Sequence, residues 1–199
     1  MDETLGRNPV ALLFRHVVQA RLQVLFPPGA RILHVECRTA AEAVALAAAG
    51  AGFDGASVSL GALGLADLRA VSAALAAALR PGAGIVVSMP GPWPLPAVIR
   101  RTLTGVGVAR RSRASRFGEA PPAVATPREA RMALAAAFDI TDSYALGVVL
   151  PGPAEEQWAS DHAQAFGLLA ALERAVRRWP GLRQLGDLCV LEGRRRDAA

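Results

Sequence analysis

His34 and Glu36 stand two residues apart in the segment Arg31-Ile-Leu-His-Val-Glu-Cys37. If that segment is a strand, side-chain alternation puts the imidazole and the carboxylate on one face. There they could exchange a proton, but no other acid, base or nucleophile gathers near them, so an ion pair or an exposed strand-end face is expected. Asp161 and His162 are neighbours on a predicted helix and diverge, which assigns them to the surface. His16 falls on the polar side of a predicted helix and is expected to be solvated. Trp93, braced by prolines in Pro90-Gly-Pro-Trp-Pro-Leu-Pro96 after a predicted buried strand, either lines a ligand crevice or lids the core. Tyr144, in a predicted strand, reads as packing. Arg110, Arg111, Arg113 and Arg116 could attract an anion but read as a solvated loop. Cys37 and Cys189 are far apart and form no CxxC pattern, which gives no support to a disulfide framework or a zinc site and suits a reducing compartment.

Alternating helices and strands must position these groups. Asn8 before Pro9 is a helix start, since the Asn side chain caps free amides and proline sits in the first turn without losing a bond. Apolar residues at helical spacing carry that helix to about Phe26, where Pro27, Pro28 and Gly29 end it. A strand over 31–37, an alanine-rich helix over 40–49, a strand over 53–60 and a helix over 66–79 follow. Arg80-Pro-Gly82 is expected to stop that helix before a buried strand over 83–89. Two such units in succession predict a parallel sheet with helices on both faces. Further on, the pattern predicts a helix over 97–104, a flexible arginine-bearing stretch over 105–122 and a helix from Thr126-Pro-Arg-Glu129 to about Ala137. A strand over 138–150, one long helix over 155–179 and a last strand over 186–192 complete the reading.

The 199 residues, 52% of them hydrophobic, suit one domain over 1–199, with 1–8 and 193–199 flexible. Formal net charge is +5 and no lysine is present. The arginines are interleaved with acids over much of the chain, which disfavours nucleic acid as a partner. The opening MDETLGRNP is acidic and polar, unlike a signal peptide, and no apolar run approaches the roughly 20 residues that cross a bilayer. A soluble, cytoplasmic protein without a membrane partner or a metal is expected.

Arg31-Ile-Leu-His-Val-Glu-Cys-Arg-Thr-Ala40 resembles the first motif of class I S-adenosylmethionine-dependent methyltransferases, where a strand ends in an acidic residue and a glycine-rich turn. Phe53-Asp54, Leu60 to Leu63, and the stretch from Ala74 to Trp93 containing Leu-Arg-Pro-Gly are similar to that family's fourth strand, following helix and fifth strand. Thr126-Pro-Arg-Glu, Phe138, Leu146 to Pro151 and Leu185-Gly-Asp187 resemble its bacterial small-molecule members. The likeness covers about Ala11 to Glu192 and implies a doubly wound, Rossmann-like α/β fold with a mostly parallel sheet.

The departures from the family are as informative. The cofactor-binding positions of the motif carry His34, Glu36, Arg38 and Ala40, with His34 where the family has its leading acid and side chains where it has glycines. A Cβ in such a turn blocks close approach of a ligand. About a dozen residues separate Ala40 from Phe53, too few for the second and third strands, so the strand that brings a carboxylate to the cofactor ribose is expected to be missing. A rival alignment makes Phe53 to Ser59 the second strand and Asp54 the ribose acid. The resemblance thus implies a degenerate, shortened pseudoenzyme that binds S-adenosylmethionine weakly or not at all and acts through a protein partner or as a homodimer. The interface would be the Ile32–Cys37 edge and the helix after it. The alternative is a methyltransferase acting on a small molecule, with S-adenosylmethionine held by an altered loop or by a partner chain.

Overall fold

The computed structural model describes residues 8–37, 52–60, 65–91, 125–151 and 156–197. The predicted helices over 40–49 and 97–104 and the arginines at 110–116 lie outside them. The described residues gather into two compact units, one of residues 8–24, 91, 144–151 and 156–189, the other of residues 25–37, 52–60, 65–90, 125–143 and 190–197.

The second unit holds most of the sheet. Strands β1 (Ile32–Cys37), β2 (Phe53–Leu60) and β3 (Leu79–Pro90) are parallel, with Ile32 opposite Gly55 and Cys37 opposite Leu60 on one side, and Gly55 opposite Gly84 and Ser59 opposite Ser88 on the other. Helix α2 (Leu65–Ala78) links β2 to β3, burying Leu68, Val71 and Leu75. With β4 (Phe138–Leu146) and β5 (Leu188–Arg195) the strand order is β1-β2-β3-β5-β4. Strand β5 runs against its neighbours: the Arg196 amide donates to the Ala137 carbonyl, the Thr141 hydroxyl donates to the Glu192 carbonyl, and Arg194 reaches Gly82. The result is a mixed α/β, Rossmann-like sheet, parallel apart from one strand.

In a doubly wound sheet the first strand lies between the second and the fourth. Here the sheet grows from β1 through β2 and β3 to β5 and β4, so Phe53–Leu60 takes the fourth-strand place. The rival alignment is set aside on this order. Asp54 confirms the point, because it sits at the N-terminal end of β2, where its carboxylate accepts the Arg31 amide at 2.7 Å and pairs with Arg80. Among the described residues β1 pairs with β2 and with no other strand.

Several boundaries differ from the sequence reading. Leu-Arg-Pro-Gly does not lie between helix and strand: β3 already begins at Leu79, opposite Phe53, and a bulge around Gly82 (φ +73°) restores register at Gly84. Strand β4 stops at Leu146, because Gly147 turns the chain at φ +76°. The long helix is two, α4 (Glu156–Asp161) and α5 (Ala163–Val176), broken at His162, whose φ of −121° and ψ of +49° are not helical. The arginine-rich end does not fray at residue 193, since β5 continues through Arg195 and Arg196 pairs with Asp139 at 2.8 Å. Helix α3 (Pro127–Leu134) opens as expected and ends three residues early. In the first unit, α1 (Pro9–Leu25) begins where expected, with the Asn8 side chain accepting the Val10 amide at 3.0 Å.

Candidate functional site

Parallel strands bring their C-terminal ends to one edge of a sheet, and ligands of doubly wound folds bind beyond that edge. Here β1, β2 and β3 end at Cys37, Leu60 and Pro90. Strand alternation sorts their side chains into two faces. Leu33, Val35, Ala56, Val58 and Ile85 are buried on one. The other carries His34 and Glu36, both exposed, and their register partners Ser57 and Ser59. Ser59 lies opposite Ser88, so Glu36, Ser59 and Ser88 form a polar row across three strands near the ligand edge. Ser88 is turned to the sheet itself, its hydroxyl donating to the Val58 carbonyl at 3.4 Å.

Phe26 closes the other end of this face. Its ring lies on Gly55 and Gly84, and an added Cβ at Gly55 would overlap it. The face is therefore apolar and sealed at the start of the strands and polar toward their ends.

His34 and Glu36 share a face as the sequence implied, yet they form neither an ion pair nor a hydrogen bond among the described residues. They stand as the exposed strand-end face. Arg38, Ala40 and Trp93 lie outside the described residues, so the rest of the cofactor motif and the substrate-pocket residue are not placed. Asp161 and His162 diverge: Asp161 accepts from the Gln157 amide group at 2.9 Å, while the His162 ring stacks on Trp158 at a centroid distance of 5.1 Å. His16 is exposed and Tyr144 is buried, as expected. Among the described residues no group of His, Cys, Asp or Glu could hold a metal ion, and no helix is long and apolar enough to cross a membrane.

Residue-by-residue reading of the sequence missed the polar centre of the first unit. Glu173, on α5 and buried, accepts the amides of Gly147, Val148 and Val149 at 2.8 to 3.2 Å. Successive amides facing one carboxylate make an anion nest that the chain fills itself. Beside it the Arg177 and Arg178 guanidinium carbons lie 5.4 and 5.2 Å from the Tyr144 ring centre. Burial, and then the neighbouring Arg178 charge, hold the Arg177 guanidinium below its ordinary range. The signal available in sequence was a glycine followed by an apolar run after a strand, which names a turn but not its distant acceptor.

No family model matches the chain, and no curated protein matches it. Solved structures with a similar course of the chain include a SAM-dependent methyltransferase from Archaeoglobus fulgidus, with 11% identity, TM-score 0.48, and 90% of this chain and 94% of that one covered. An S-adenosylmethionine-dependent methyltransferase from Mesorhizobium loti shares 18% identity at TM-score 0.46, covering 92% of this chain and 100% of that one. A cyclopropane synthase from Mycobacterium tuberculosis shares 14% at TM-score 0.47, covering 97% and 88%. At such values the likeness carries no chemistry across, and the fold rests on the strand order and directions described above.

Proposed function

We propose that this chain is a methyltransferase-fold protein that acts by associating with another protein, with S-adenosylmethionine binding impaired or lost. The observation that carries this reading is the pairing of β1 with β2 alone among the described residues. On the free side of β1 a doubly wound cofactor site would place the strand carrying the ribose carboxylate. An edge strand with unpaired amides and carbonyls is a template for another chain. The residues present also fit the cofactor poorly, because Glu36 extends an exposed side chain from a position that the resemblance assigns to glycine.

The polar row at the ligand edge favours a second reading, a methyltransferase of small molecules whose cofactor seat is completed by a partner chain. Calorimetric titration of the isolated chain with S-adenosylmethionine and S-adenosylhomocysteine tests the first reading. No heat of binding at millimolar ligand is expected. Micromolar binding would overturn the proposal, and binding that needs a co-purified partner would favour the second reading.

A further inference from the structure

Helix α5 is apolar on two sides. Toward its own unit it turns Val176, which packs with Ala145 and Val148, and the buried Glu173. Away from it stand Leu168, 76% exposed, Leu172, 47% exposed, and Trp179, 60% exposed, one turn past the helix end, with Ala175 between them. Residues 168, 172, 175 and 179 are spaced four, three and four apart, the seam of a heptad repeat. A contiguous exposed apolar ridge marks an interaction surface.

The charges indicate what covers it. Arg174 and Arg178 flank the basic, C-terminal end of the seam, while Asp161 stands just ahead of its N-terminal end, and no acid lies on the exposed face between them. A parallel copy would set arginine against arginine. An antiparallel copy with Leu168 against the partner's Leu172 sets Ala165 against the partner's Ala175 and brings Arg178 beside the partner's Asp161. It also opposes the helix dipoles. Gly167, Ala171 and Ala175 let the axes approach toward the short end of the range for packed helices, about 8 Å. Trp179 supplies the large aromatic anchor typical of interface hot spots.

We propose that α5 is the contact of a homodimer in which two copies pack antiparallel about a two-fold axis between Leu168 and Leu172. The surface belongs to a different element from β1 and stands independently of the proposed function. Sedimentation equilibrium of the full chain and its variants tests it. The chain is expected to dimerise, and Leu168→Glu is expected to raise the dissociation constant at least about tenfold, with the far-UV circular dichroism of the dissociated variant unchanged because the side chain is exposed on the single chain. Asp161→Arg and Arg178→Asp should each weaken the dimer, and the double variant should recover it. A monomer at high micromolar concentration overturns the proposal and leaves the ridge to a different protein. So does a dimer indifferent to both Leu168→Glu and Leu172→Glu, and absence of recovery in the double charge variant overturns the antiparallel arrangement.

Discussion

The Glu173 carboxylate accepts the Gly147 amide at 2.8 Å, across 26 residues of chain, and the same carboxylate holds the two amides that follow. Removing it would leave three inward-facing donors without an acceptor. Each orphaned amide costs about 1–3 kcal/mol, so Glu173→Ala should destabilise the protein by about 3 kcal/mol or more, read as a lower denaturant midpoint. Glu173→Gln retains one acceptor oxygen and should cost less. A midpoint for Glu173→Ala equal to that of the parent would show that the nest does not hold this turn.

Phe26 makes a comparable demand on the second unit. Gly55→Ala drives a methyl group into the edge of its ring, and overpacking of this kind costs about 1–3 kcal/mol. Gly84→Ala, whose Cβ would approach the same ring to 3.0 Å, should cost less. Combining Gly55→Ala with Phe26→Leu should restore part of the loss in thermal midpoint, since the smaller side chain vacates the space. An additive loss in the double variant would mean that the ring is not the obstacle.

Burial pushes the Cys189 thiol up from 9.0 to about 12, and its Sγ donates to the Arg183 carbonyl at 3.4 Å. The native thiol should therefore resist alkylation at pH 8 and react only after unfolding. The linkage has a definite sign. The unfolded chain releases this proton near pH 9 and the folded chain only near pH 12, so the contribution is complete below about 9 and is lost as pH rises to about 12. A Cys189→Ala variant, although less stable overall, should lose less stability across that window than the parent; parallel profiles would contradict this.

Helix α3 offers a local test. The Thr126 hydroxyl accepts the Glu129 amide at 3.2 Å and the Glu129 carboxylate accepts the Thr126 amide at 2.6 Å, a complete capping box. Thr126→Ala should cost about 1 kcal/mol in denaturant unfolding.

Restoring glycine at Glu36, Arg38 and Ala40 together should not create tight binding of S-adenosylmethionine. The substitutions remove side chains from positions that the resemblance assigns to glycine but supply no ribose carboxylate beside β1, which among the described residues pairs with β2 alone. Tight binding by a folded triple variant, measured by calorimetry, would show that this strand is not needed.

Signals carried by neighbouring residues are legible in the sequence alone. Asn8 with Pro9, and Thr126-Pro-Arg-Glu129, place helix starts because a cap involves donors and acceptors a few positions apart. Phe53–Leu60 emerges as a strand with the same bounds, because its composition and flanking glycines act locally. The α/β class and the mostly parallel sheet likewise follow from alternating periodicities. What only the tertiary structure decided depends on partners distant in sequence. Leu79 begins β3 at the end of a helical pattern because Phe53 pairs with it, and β4 stops at Leu146 because Glu173 gathers the following amides. Arg194 to Arg196 stay ordered because Gly82, Leu79 and Asp139 receive their guanidinium groups. A composition rule reads that segment as a solvated tail, since nothing within it reveals an acceptor more than fifty residues away.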